Sequence, residues 1–94
     1  MEIIKETASE IVIASHGYQI TKFNNGYAPV YYATKIDRNN RYLPEILLFV
    51  KEGKLESALR PWNYIPCEEV QKYIDGIQQA VSCLKEAGDF FATR

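Results

Sequence analysis

Between Glu10 and Arg60 apolar and polar residues tend to alternate, and from Pro66 onward the apolar ones recur every three or four positions. The first period belongs to strands with one covered face, the second to an amphipathic helix. Residues 11–15 and 18–23 flank His16-Gly17, and a two-residue loop containing Gly predicts a hairpin over 10–23. Asn24-Asn25-Gly26 marks the next turn, since Asn and Gly tolerate positive φ. Residues 30–36 form a third strand, Asp37 to Arg41 a polar turn completed by 42–44, and 45–51 a fourth strand. Glu52-Gly53 closes a tight turn into a fifth strand over 54–60, which Pro61 stops. Thr7-Ala8-Ser9-Glu10 matches a helix capping box. The β-branched run Ile11-Val12-Ile13 that follows favours a strand instead. The first strand is therefore started near Glu10, and residues 1–9 are left unassigned.

One long helix is predicted over 66–87. Pro66 suits the first helical position, and Glu68 and Glu69 suit the positive end of the helix dipole. Val70, Tyr73, Ile74, Ile77, Val81 and Leu84 fall on one face. That face is expected to lie on the sheet, with Ile77 and Val81 at its buried centre. Gly76 inside the helix is read as a point of close approach, Gly88 as the C-cap and 89–94 as a tail.

The expected fold is α+β, a four- to five-stranded antiparallel meander followed by one long C-terminal helix packed on one face, in a single domain over 1–94. A lone helix covers one side of such a sheet and leaves the other open. Alternation assigns Leu47, Phe49, Lys51, Lys54 and Arg60 to the open side, with Tyr31 and Lys35 from the third strand. Trp62 joins these candidates from Arg60-Pro61-Trp62-Asn63-Tyr64, whose two aromatics either plug the end of the core or anchor a partner.

Composition and charge sharpen the picture in two places. Aromatic residues make up 13% of the chain, seven of them Tyr, and Tyr suits half-buried strands and binding surfaces alike. The net charge of −1 conceals an uneven distribution. Residues 16–60 hold seven Lys or Arg against four carboxylates, whereas 61–94 hold three basic against five acidic residues. Basic and aromatic residues mixed on a sheet offer stacking and phosphate contacts to a single nucleic-acid strand. In strand order, terminal helix and basic strand region the chain resembles the Whirly-type and PUR-type single-strand binders. The resemblance implies an open sheet face for nucleic acid and a homodimer. No diagnostic motif of those families is matched, so it carries over no functional residue.

The chemistry-bearing residues point away from catalysis. His16 is the sole histidine, and Cys67 and Cys83 have no Cys-x-x-Cys spacing, so neither a metal nor a cofactor is expected. Sixteen residues of helix put the two cysteines about 24 Å apart, so they are expected as free thiols. Asp37-Arg38-Asn39-Asn40-Arg41 begins like a calcium loop, but Arg41 takes the fifth position and the central Gly is missing. Ser15 beside His16 in a turn is no triad, and no glycine loop cradles phosphate. No apolar run is long enough to span a bilayer, and the N-terminus lacks the pattern of a signal peptide. A cytoplasmic, non-enzymatic interaction module is expected, of accessory, inhibitor or immunity-like type, with another protein or itself as partner. Single-stranded nucleic-acid binding is the alternative.

Overall fold

The computed structural model describes residues 1–24, 26, 28–60 and 64–94. Among the described residues six strands precede one helix: β1 (Glu2–Glu6), β2 (Glu10–Ser15), β3 (Tyr18–Phe23), β4 (Val30–Lys35), β5 (Glu45–Lys51) and β6 (Lys54–Arg60). A 3₁₀ turn (Cys67–Glu69) then leads into α1 (Val70–Ala92). The α+β class with an antiparallel sheet is as the alternation predicts. The strand count is not, because 1–9 contribute β1.

Two features masked that strand. Its register on β2 shifts between Ile3 and Lys5, which interrupts alternation after two residues. The Thr7 hydroxyl also accepts bonds from the N–H groups of Ser9 (3.2 Å) and Glu10 (3.1 Å). The capping-box signal thus reflects a real side-chain-to-backbone contact, but in a turn between two strands.

The expected single meander is divided. β1 to β4 form one antiparallel sheet in sequence order and β5–β6 form a two-stranded one. β4 and β5 lie side by side, but among the described residues no hydrogen-bonded ladder joins them. The intervening loop is held by side chains instead. Lys35 Nζ donates to the carbonyls of Asn40 and Leu43, both at 3.1 Å. The Tyr18 hydroxyl donates to the Pro44 carbonyl. Both β2–β3 and β5–β6 turn through two residues of positive φ, His16 (48°) with Gly17 (82°) and Glu52 (53°) with Gly53 (78°). This is the turn whose twist matches paired strands.

The core lies between the first sheet and α1. Ile13, Tyr18, Ile20, Leu43 and Ile46 meet Ala80, Cys83 and Ala87 of the helix. The helix therefore presents its small residues to the sheet; of the predicted apolar face Leu84 packs against the core, and the placement of Val70, Ile74 and Val81 is corrected. Val81 is 51% exposed, Val70 and Ile74 are each 40% exposed, and Ile77 is only half-buried. The reason is separation. An ideal Cβ on Gly76 would stand 1.9 Å from the Tyr42 carbonyl oxygen, so the helix runs too close for large side chains on that line. The predicted C-terminus is corrected too. Gly88 is inside α1, and Phe90 and Phe91 pack against the core as part of the helix. No described helix is long and apolar enough to cross a membrane.

Candidate functional site

The register defines which residues share each face. On the hairpin, Ile46 pairs with Leu59, Leu48 with Ser57 and Val50 with Leu55 on the helix side. Glu45 with Arg60, Leu47 with Ala58, Phe49 with Glu56 and Lys51 with Lys54 point the other way. Phe49, Lys51, Lys54 and Arg60 thus stand on one open face. Leu47 and Phe49 are 43% and 47% exposed there.

Tyr31 and Lys35 do not join them. Their side of β4 faces the helix, where the Tyr31 ring meets Phe91 edge to face at 5.5 Å and burial pushes its hydroxyl above the ordinary tyrosine range. Lys35 is held by the two loop carbonyls described above. Both belong to the packing of the fold, because the register with β3 sets the alternation of this strand in the phase opposite to the expected one. Trp62 lies outside the described residues. Tyr64 is 75% exposed and plugs no core.

Alternation in the first sheet brings other residues to the open side. Phe23 pairs with Val30, and Thr21 with Tyr32. The rings of Phe23 and Tyr32 meet edge to face at 5.7 Å, and Phe23, Val30 and Tyr32 are all exposed. Tyr32 is the open-face neighbour of Tyr31, so the corrected phase of the third strand finds it directly. A groove of about 350 Å³ lies between Ala33, Thr34 and Lys35 of β4 and Glu45, Ile46 and Leu47 of β5, with Arg38 at its rim.

A second cluster lies at the β2–β3 turn. Glu86 of α1 accepts a hydrogen bond from the Ser15 hydroxyl and lies 3.3 Å from His16 Nε2. The Ser15 bond, with His16 adding to it, holds the Glu86 carboxyl below the ordinary carboxylate range. The carboxylate stands in the middle, so the imidazole is not placed to take a proton from the serine, as a catalytic triad needs. Gln79 donates to the His16 carbonyl at 2.8 Å. Together these contacts fasten a strained turn to the helix. Cys83 is fully buried, and burial raises its thiol to about 11, which keeps it a neutral core group. Both cysteines are free, with Cys67 exposed.

Comparisons with protein-family models, with curated proteins and with solved structures returned no match for this chain.

Proposed function

We propose that this chain is a non-enzymatic interaction module that engages a protein partner through the open face of the β5–β6 hairpin. The observation that carries the reading is the exposure of Leu47 and Phe49 together, on a strand whose other face is already used for packing. Adjacent large apolar side chains left in water, rimmed by Lys51, Lys54, Glu56 and Arg60, have the composition of a contact patch. Phe23, Val30 and Tyr32 extend it across the first sheet.

Single-stranded nucleic acid is the second reading, favoured by Lys51, Lys54 and Arg60 standing on the same face as Phe49. Glu45 and Glu56 interrupt that basic surface, and the engagement of Tyr31 and Lys35 elsewhere removes two of its expected contributors. Affinity capture with labelled bait separates the two. A partner protein should bind wild type, be lost with Phe49→Ala and be retained by Lys51→Glu combined with Lys54→Glu. A labelled single-stranded oligonucleotide should not bind. Oligonucleotide affinity that falls steeply with salt and disappears in the double lysine variant would transfer the assignment to nucleic acid.

A further inference from the structure

Two surfaces remain that the open face does not absorb: the outer edge of β6 and the apolar flank of α1. The two ends of the strand array differ. β1 carries a register shift between Ile3 and Lys5, and its Glu6 is tied to Arg94, features that blunt an edge. β6 pairs with β5 over seven residues without a shift, and all of it but Leu59 is exposed. The two-residue turn makes Lys51 and Lys54 a hydrogen-bonded pair. The N–H and C=O groups of Leu55, Ser57 and Leu59 therefore point outward, away from β5.

The helix flank overlooks the same edge. At roughly 100° per residue, Val70, Ile74 and Val81 lie roughly 130° around α1 from the Gly76–Ala80–Cys83–Ala87 line, on the Leu84 side. Gln79 and Glu86 lie on the opposite side, toward the β2–β3 turn. Leu84, Gly88 and Phe91 line a groove of about 450 Å³ with Leu48, Leu55 and Ser57 of the hairpin. The apolar flank of the helix thus faces the hairpin and its outer edge, which pairs with no strand among the described residues.

The sequence of β6 selects the occupant. Antiparallel self-pairing about Ala58 sets Glu56 opposite Arg60 in both directions, with Ser57 and Leu59 as the hydrogen-bonded pairs. Pairing about Ser57 sets Lys54 against Arg60, and pairing about Glu56 sets that carboxylate against itself, both unfavourable. We propose that a second copy of this chain docks on the β6 edge, related by a twofold axis through Ala58, with the two α1 flanks meeting over the join. A twofold axis normal to the sheet keeps both helices on one side. Val70, Ile74 and Val81 of each copy then cover the Leu55 and Leu59 side of the paired strands, an isologous contact. The open face points the other way, so this interface does not rest on the assignment of Leu47 and Phe49.

Sedimentation equilibrium across a concentration series tests it. Wild type should reach twice the 10.8 kDa chain mass. Val81→Glu, at an exposed position, should be monomeric with an unchanged circular dichroism spectrum. Ser57→Pro should be monomeric as well, since it removes an outward N–H and no β5 ladder bond. Glu56→Arg alone and Arg60→Glu alone should each be monomeric. An equimolar mixture of those two variants should recover the two-chain mass, because every facing pair is then of opposite charge. Phe49→Ala should leave the dimer intact. A wild-type monomer at all soluble concentrations overturns the proposal. So does a dimer that survives Val81→Glu, or a variant mixture that stays monomeric. A dimer lost only with Phe49→Ala would place self-association on the open face and likewise overturn it.

Discussion

At Gly76 the helix passes against the Tyr42 backbone, and the missing side chain is what allows the approach. An ideal Cβ there falls 1.9 Å from the Tyr42 oxygen, which is backbone and cannot rotate away. Gly76→Ala gains about 1 kcal/mol of helix propensity. The clash should outweigh that and leave a net loss of about 1–3 kcal/mol, the usual cost of overpacking. Urea denaturation measures it, and a stabilised variant would show that α1 can lift off the 42–43 backbone. The thiols give a second residue-level test. Exposed Cys67 should react at once with a thiol reagent, and buried Cys83 only after unfolding. A third test uses Glu86, whose carboxyl titrates below its unfolded value because Ser15, and then His16, favour the charged form. Its contribution is fully present above the unfolded carboxylate pKa and is lost as pH falls through the lowered folded value. Glu86→Gln should therefore flatten the acid limb of a stability–pH curve, and an unchanged limb would remove Glu86 from the account.

At the scale of elements, α1 carries two stripes, one of small residues and one of large apolar ones, and the small stripe faces the sheet. In dilute protein, where no second copy can cover its flank, Val81→Ala should cost under about 0.5 kcal/mol, as surface changes do. Ala80→Leu, on the buried stripe, should cost about 1–3 kcal/mol. Reversal of that order in chemical denaturation would invert the helix. The β5–β6 hairpin is the other distinct element. It pairs with itself, and its distal residues Phe49, Val50 and Leu55 are exposed on both faces. Its inward amides near the Glu52-Gly53 turn should exchange with deuterium well before those of β2 and β3, which flank the buried Ile13, Tyr18 and Ile20. Equal protection would mean that β4 and β5 form a full ladder in solution.

At the scale of the molecule, the split sheet gives an extended shape. The principal extents are 47 × 28 × 20 Å and the Cα radius of gyration is 14.1 Å. A compact chain of this length has a radius of about 12 Å. Small-angle scattering of Val81→Glu should reproduce the extended monomer, and a radius near the compact value would show the hairpin folded back on the core. The surface chemistry is divided in the same way. The open face bears Leu47 and Phe49 among Lys51, Lys54 and Arg60, while the opposite side bears the apolar helix flank above the β6 edge. One chain thus has two separate surfaces, one for each of the two proposed contacts.

Local patterns in the sequence determined the five strands from Glu10 to Arg60, both two-residue turns, the single long helix and the unpaired state of Cys67 and Cys83. These follow from period, turn chemistry and helix length, all of which act over a few residues. The hairpin's two faces were legible for the same reason, since a tight turn couples the alternation of its strands. Tertiary structure decided the rest. β1 was hidden because its bulge breaks alternation and its hydrogen bonds are made to another segment, β2. The buried face of α1 could not be read from hydrophobicity. Ranking by size favours Ile74, Ile77 and Val81, whereas the helix passes against the Tyr42 backbone at Gly76 and lays Ala80, Cys83 and Ala87 on the core. The phase of β4, and with it the exclusion of Tyr31 and Lys35 from the open face, was set by cross-strand register to β3. Register is a property of two segments, and neither segment alone contains it.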